Sequence, residues 1–244
     1  MSKKIAVVTG AAGGMGLAIT AKLVQSDFQI VAFDINEEGL KNLEKQFAPS
    51  VFSYCVDLTD ADGIKDAFAS VAEKFGGVDA LVNNAGNCYM SDFPNIPPSE
   101  FYLQMAVNFS SAFFCSQEAI KLMLKRSGIK KIVNISSNGA YNFDVFDPPH
   151  YRASKAAMDT LTKDLARRYA DQSICVNSIA PAMTESPLFK VLTEEVLSKA
   201  ISQMPRGSAM KPEEIAAWVG FLISPAGDVS SGNVIILNQG RDVR

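Results

Sequence analysis

With one histidine, His150, in 244 residues, the chain has no means of building a His-rich metal site, and a serine-hydrolase triad is excluded unless that residue is its base. Cysteine is nearly as sparse. Cys55, Cys88, Cys115 and Cys175 lie 33, 27 and 60 residues apart, which leaves no C-x-x-C pair and no zinc-ligand spacing. All four read as reduced thiols of a cytoplasmic protein, and no metal is expected. Neither sign of charge prevails: 23 Lys and Arg against 26 Asp and Glu leave a net −3, with no attraction for phosphate backbones or anionic lipid. No stretch approaches the ~18 apolar residues of a membrane helix. The Ile5–Val8 run behind Lys3 and Lys4 is also too short for a signal-peptide core. A Ser/Gly/Pro linker and an internal repeat are missing too. The expected partner is therefore a small molecule, not a nucleic acid or a membrane.

What the chain does have is a regular alternation. Apolar residues are 48% and charged residues 20% of it, the proportions of a globular core, and ~250 residues is a usual length for a doubly wound sheet in one domain. Short β-branched runs at Ile5–Thr9, Gln29–Asp34, Val51–Val56, Ala80–Asn83, Lys131–Ser136, Ile174–Ile179 and Val234–Leu237 read as strands. Between them, apolar residues recur at helical spacing in Met15–Ser26, Glu37–Phe47, Ala61–Phe75, Glu100–Arg126, Arg152–Ala170 and Pro212–Ile223. The pattern predicts an α/β fold: one domain over 1–244, a doubly wound parallel sheet of about seven strands with helices on both faces. The rhythm breaks at about 182–206, near strand ends, where a substrate lid is expected.

The first strand runs into Thr9-Gly10-Ala11-Ala12-Gly13-Gly14-Met15-Gly16. Glycines let the backbone approach a pyrophosphate, and the helix that follows offers unpaired N–H groups and a positive dipole end. The spacing departs from G-x-G-x-x-G, because Ile19 stands where the third glycine would be, and there is no G-K-[ST] ending. Asp34 closes the second strand 20 residues after Gly14, where a carboxylate accepts hydrogen bonds from an adenosine ribose and repels a 2′-phosphate. No basic residue stands beside it or just before Gly14, so NAD is the expected cofactor; the competing use of Asp34 is a helix N-cap. Asn83-Asn84-Ala85-Gly86 follows the fourth strand at the carboxyl edge, where such sheets bind ligands. Tyr151 and Lys155, four apart, share one helix face, and an ammonium there lowers a tyrosine pKa towards working pH. Ser136 and Ser137 close the fifth strand at the same edge.

In that order, these features resemble a short-chain dehydrogenase/reductase of the compact type, a Rossmann-like family. The resemblance covers nearly the whole chain. It rests on the Thr9-Gly10-x-x-x-Gly14-x-Gly16 turn, Asp57, Asn83-Asn84-Ala85-Gly86, Asn108, Ser137, Tyr151-x-x-x-Lys155, Val176-Asn177 and Pro181 through Thr184. It implies hydride transfer between a secondary alcohol or ketone and C4 of a nicotinamide. Tyr151 would exchange the proton and Ser137 hold the reacting oxygen. Lys155 would grip the nicotinamide ribose and depress the Tyr151 pKa, and Asn108 would order a relay water. Asp57 would meet adenine, Asn84 the adenine ribose region, and Thr184 the carboxamide or diphosphate. The implied cofactor set is Gly10, Gly14, Met15, Gly16, Asp34, Asp57, Leu58, Asn84, Ala85, Gly86, Tyr151, Lys155, Pro181 and Thr184. Three departures stand out: Ser137 and Tyr151 are 14 apart, one more than usual; Ala182 follows Pro181 in place of glycine; and Asn238-Gln239-Gly240 replaces Asp-Gly-Gly. Ser136 remains a rival to Ser137.

A substrate would lie among segments 87–90, 138–150 and 183–205. Cys88, Tyr89, Met90, Tyr141, Phe143, Val145, Phe146, Met183, Leu188 and Phe189 favour an apolar or aromatic carbonyl compound; Asp144, Asp147 and His150 are the polar exceptions. His150 reads as a loop or wall residue. The leading reading is an NAD-dependent alcohol dehydrogenase or carbonyl reductase. The alternatives are a 3-oxoacyl-(acyl-carrier-protein) reductase, whose usual NADPH sits poorly with Asp34, and a catalytically silent nucleotide-sensing regulator, which has no need of a tuned phenol. Apolar residues on more than one helix face, among them Phe109, Phe113, Phe114 and Leu122, then Met158, Leu161 and Leu165, suggest a homotetramer.

Overall fold

In the first strand, β1 (Lys4–Thr9), Ile5 and Val7 enter one apolar layer while Ala6 and Val8 enter another. This is the period-two division of a strand covered on both faces. The computed structural model describes residues 3–142, 147–186, 189 and 193–242. β1 joins β2 (Phe28–Asp34), β3 (Val51–Cys55), β4 (Ala80–Asn83), β5 (Lys130–Ile135), β6 (Ile174–Pro181) and β7 (Val234–Leu237) in one sheet of order β3-β2-β1-β4-β5-β6-β7. Every pairing is parallel. Helices α1 (Gly14–Gln25), α2 (Glu37–Phe47) and α8 (Pro212–Ile223) cover one face through Ile19, Leu23, Leu40, Leu43, Ile215 and Val219. The other face is covered by α3 (Ala61–Phe75), α5 (Ser111–Met123) and α6 (Pro149–Arg168), through Ile64, Phe68, Ile120, Met123 and Leu161. The single-domain doubly wound architecture is as expected. Strand order reverses between β1 and β4, which opens a crevice at their carboxyl ends.

The predicted helix Glu100–Arg126 is not continuous. It consists of α4 (Pro98–Met105), a π-helical turn at Ala106–Ser110 and α5. The π-helical turn places Asn108 inside the protein, where its amide has partners on two other segments, and residue-type periodicity cannot register one inserted residue. α6 starts earlier than expected because Pro149 sits at the helix start, where its missing N–H is harmless and its φ preset. β6 runs on to Pro181 because β7 pairs with it as far as Leu237. Segment 182–206 contains α7 (Glu194–Ser202). Among the described residues no helix is long and apolar enough to cross a membrane.

A buried polar ladder ties the layers together beneath the crevice. Asn83 Nδ2 donates to Asn134 Oδ1 at 2.8 Å and Ser116 Oγ at 3.0 Å, and Asn134 Nδ2 donates to Thr162 Oγ1 at 2.8 Å. The ladder joins β4, α5, β5 and α6. Asn134→Ala removes one hydrogen bond to Asn83 on β4 and one to Thr162 on α6, at about 0.5–1.5 kcal/mol for each bond lost. With about 2–4 °C of Tm per kcal/mol at this size, circular dichroism melting should show a fall of several degrees, and an unchanged Tm would remove the ladder from the account.

Candidate active site

The glycine turn is packed backbone against backbone. Gly10 has φ +62° and Gly14 φ +43°; a Cβ on Gly16 would collide with the Gly10 carbonyl, and one on Gly10 would stand 2.9 Å from Ala85 Cα. Such positions favour glycine. Thr9 Oγ1 accepts from both Asn84 N and Ala85 N at 3.0 Å, while Asn84 Nδ2 donates to the Thr9 and Gly10 carbonyls at 3.0 Å. Asn84 is thus a strap between two loops, and its buried Oδ1 has no partner among the described residues. α1 begins behind Gly13 without a side-chain cap and without an acidic residue in its first turn, which suits an anion.

Asp34 is not a helix N-cap. That role belongs to Asn36, whose Oδ1 accepts from Gly39 N. Asp34 instead accepts from Ala12 N through Oδ2 and from Asn36 N through Oδ1, both at 2.9 Å, which turns its carboxylate to the glycine turn. Asp57 accepts from Thr59 N at 2.9 Å and Thr59 Oγ1 at 2.7 Å, bonds that lower its pKa. Gly10, Gly14, Met15, Asp34, Asp57, Leu58, Asn84, Ala85 and Gly86 all line one cleft of about 620 Å³. Gly16 lies buried beneath it.

A second cavity, about 160 Å³, is bordered by Met15, Ser137, Tyr151, Pro181 and Thr184. Tyr151 lies in the first turn of α6 and bonds the Ser137 hydroxyl. Ser136 Oγ donates to the Lys155 carbonyl at 3.3 Å, so Ser137 and not its neighbour partners the tyrosine. Lys155, also buried, donates from Nζ to the Ile135 carbonyl at 2.8 Å. Burial lowers its pKa to about 8 against the pull of Asp159 and Cys88. The expectation that Lys155 depresses the Tyr151 pKa is corrected here. Burial pushes that pKa up, Asp147 and Cys88 add to the rise, and the Ser137 hydrogen bond opposes it, while one donor of the Lys155 ammonium goes to the Ile135 carbonyl.

Asn108 Oδ1 accepts from Asn87 N at 2.8 Å; its Nδ2 donates to the Asn87 carbonyl at 2.9 Å and to Ser154 Oγ at 3.1 Å. A Cβ on Gly86 would stand 3.2 Å from Lys155 Nζ and 3.5 Å from Asn108 Oδ1, so these three residues converge behind the tyrosine. His150 is buried with Nε2 3.2 Å from Glu100 Oε1, without hydrogen-bond alignment, and does not border the cavity. Of the expected wall, Cys88, Met90, Met183 and Phe189 are present. Tyr89 lines the larger cleft beside the glycine turn instead, and Tyr141 donates to Asp159 Oδ2 at 2.8 Å. Phe143, Asp144, Val145, Phe146 and Leu188 lie outside the described residues. Asp147, expected as a polar exception, is also on this wall, whereas sequence reasoning did not name Gln203 or Arg241; Arg241 Nη2 donates to Gln203 Oε1 at 2.8 Å, and no local motif announces a contact 38 residues apart.

A doubly wound sheet with a glycine turn at its switch point and a Ser–Tyr–Lys group at the same edge defines a class of oxidoreductases that use nicotinamide cofactors. The family model described as enoyl-(acyl carrier protein) reductase matches residues 10–242, and the chain belongs to the short-chain dehydrogenase/reductase family. It is 34% identical over 242 residues to the 3-oxoacyl-(acyl-carrier-protein) reductase FabG of Thermotoga maritima, covering 97% of each chain. It is 31% identical to the 2,3-dihydroxy-2,3-dihydro-p-cumate dehydrogenase of Pseudomonas putida, covering 97% of this chain and 93% of that one. A short-chain dehydrogenase/reductase of Brucella melitensis, of the glucose/ribitol dehydrogenase type, superposes with TM-score 0.91 at 29% identity, covering 99% of this chain and 97% of that one.

The tyrosine's environment sets a pH dependence. A raised pKa keeps the phenol protonated to higher pH, so an oxidation in which Tyr151 accepts the proton would rise with pH. Asp147→Asn removes one upward influence and should move the rising limb of kcat/KM for oxidation to lower pH. A limb that stays in place in this variant would detach Asp147 from the tyrosine.

Proposed function

We propose that the chain is an NAD-dependent alcohol dehydrogenase/carbonyl reductase of the cytoplasm that interconverts a small secondary alcohol and its ketone, with an apolar or aromatic skeleton. The observation that carries this reading is the Tyr151–Ser137 hydroxyl pair at the wall of the small cavity, with Lys155 buried one turn behind it and Asp34 at the neighbouring cleft. The glycine cradle, the uncapped start of α1 and the unpartnered Asn84 Oδ1 fit a dinucleotide. Gly10, Gly14, Met15 and Gly16 would hold its pyrophosphate, Asp34 the adenosine ribose, Asp57 and Leu58 the adenine, and Asn84, Ala85 and Gly86 the floor between. Tyr151 and Lys155 would hold the nicotinamide ribose, and Pro181 and Thr184 the nicotinamide. When bound, the cofactor supplies the hydride acceptor or donor at its nicotinamide C4.

The chain's own residues handle the proton. Ser137 donates a hydrogen bond to the substrate oxygen and holds it beside Tyr151, which takes the hydroxyl proton in oxidation and returns it in reduction. Asn108, locked to Asn87, would hold the relay that reloads the tyrosine through Lys155. Segment 182–206 would act as the lid, since Ala200 and Gln203 of that segment border the cavity. The similarity to the Thermotoga maritima enzyme favours a 3-oxoacyl-thioester substrate as the second reading. Asp34 argues against a cofactor bearing a 2′-phosphate.

A panel of ketones and secondary alcohols, followed by NADH absorbance, tests the reading. NAD should exceed NADP in kcat/KM by at least about tenfold, the effect of ~1.4 kcal/mol of like-charge repulsion. Asp34→Ser should lower NAD use and raise NADP use, and Tyr151→Phe should abolish turnover while leaving NADH binding nearly unchanged. Equal use of the two cofactors would discard the role of Asp34, and turnover of no compound despite NADH binding would favour a regulator.

The chain is also proposed to form a homotetramer. Leu122, Met158, Leu161 and Leu165 are buried in the protein's own core, but Phe101, Tyr102, Leu103 and Phe113 on α4 and α5, and Trp218 and Phe221 on α8, remain exposed. Two separate apolar faces suit two symmetric contacts. Light scattering at micromolar concentration should give four times the chain mass; a monomer would refute the assembly.

A further inference from the structure

Asp159 is a carboxylate inside the protein, 4% exposed, on α6 two turns after Tyr151 and one turn after Lys155. Three hydroxyls converge on it. Ser178 of β6 donates to its Oδ1 at 2.7 Å, and Tyr141 donates to its Oδ2 at 2.8 Å. The Ser136 hydroxyl, which also reaches the Lys155 carbonyl at 3.3 Å, bonds it as well. All three partners are uncharged. A carboxylate accepts through both oxygens, whereas an asparagine here would turn an NH2 group on one of the hydroxyls, so the surroundings are those of the ionised acid.

A buried carboxylate is costly unless opposite charge is near it. Lys155 supplies that charge, because residues four apart share a helix face, and the two side chains grip consecutive residues at the exit of β5. Lys155 Nζ takes the Ile135 carbonyl at 2.8 Å, and Asp159 takes the hydroxyl of Ser136. Ser137 comes next in the chain. The loop behind it is fixed to the same point: Asn138, Gly139 and Asn142 border the cavity of Tyr151, while Tyr141, between them, is anchored on Asp159. Asp159 itself does not border that cavity. Each charge of the pair favours the other, and Cys88, from the loop after β4, acts on the lysine in the same sense as Asp159.

We propose, on the dehydrogenase reading above, that Asp159 is a positioning residue of this site: it holds the loop of Ser137 and Tyr141 against α6, and it is the counter-charge that keeps Lys155 an ammonium one turn behind the tyrosine. It acts on the reaction through Ser137 and Lys155 and does not touch the substrate.

Two variants separate the two duties. Asp159→Asn removes the charge and keeps the shape, and Tyr141→Phe removes one hydroxyl and keeps the charge. On the reading above, ketone reduction with NADH needs Tyr151 as the phenol and Lys155 as the ammonium, and Lys155 is the first to lose its proton, at about 8, so kcat/KM falls above that pH. In Asp159→Asn the falling limb should lie about one pH unit lower, because an ammonium that loses a nearby opposite charge gives up its proton more readily. Asp159→Glu should return the limb towards its wild-type place. Tyr141→Phe should leave the limb where it is and raise KM by about three- to tenfold with kcat little changed, the effect of one lost hydrogen bond. Carbon-13 NMR of the lysine ε-carbons in the full chain, with Lys155→Met to assign the signal, reads the same protonation without turnover. The Lys155 midpoint should fall by about one pH unit in Asp159→Asn and hold in Tyr141→Phe. If Asp159→Asn does not fold, Asp159→Ser serves as the charge-free variant. An unmoved midpoint in a folded charge-free variant overturns the counter-charge, and an unmoved KM in Tyr141→Phe overturns the anchoring. If the wild type reduces no ketone, the dehydrogenase reading falls, and the lysine midpoint still decides for or against Asp159 as the counter-charge.

Discussion

Thr9 closes β1 with a side chain that does three things at once: its hydroxyl donates to the Val82 carbonyl at 3.4 Å and accepts the N–H groups of Asn84 and Ala85. β1 and β4 are the strands between which the sheet order reverses, so the connections leaving them diverge to opposite faces. Diverging loops open a crevice, but without a fastening they also leave it undefined. The threonine hydroxyl and the returning amide of Asn84 fasten the glycine turn to the loop after β4. The larger cleft, Gly86 and the residues converging on it all take their positions from that junction.

Behind the junction, buried polar groups do the positioning. Asn83, Asn134 and Thr162 form a ladder across the sheet, and Asn108 grips both backbone groups of Asn87. In a dry interior the hydrogen bonds such groups make specify one arrangement of the layers, although Asn83 Oδ1 itself has no partner among the described residues. Ser137, Tyr151 and Lys155, drawn from β5's exit and from α6, are thereby held in register with a loop that belongs to β4.

Much of this was readable from the residues. Strand runs such as Ala80–Asn83 and Val234–Leu237 were found with their observed limits, because each is a short apolar block with polar ends, fully buried in the first and half-buried at the sheet edge in the second. Asp34, the glycine turn and the Tyr151/Lys155 pair stood out because their spacing is itself the chemistry. The π-helical turn at Ala106–Ser110 did not, since a one-residue insertion shifts no composition. Neither did the direction of the Tyr151 pKa, which is set by burial first and then by the charges of Asp147 and Cys88. Asp147 itself was visible only as a polar residue in an apolar stretch, because its neighbour Gly139 is near in space and not in sequence.

Asp34 holds the Ala12 N–H as well as lining the cleft, so on the proposed reading one carboxylate would both read the cofactor and brace the turn that carries it. The two duties cannot vary independently. A lineage exchanging this residue to accept a different dinucleotide would loosen the loop in the same step, and the loss would be recovered only by further changes near residues 11 to 13. On that reading cofactor choice would be epistatic with loop rigidity, and a path between the two preferences would pass through a less ordered intermediate or alter both positions together.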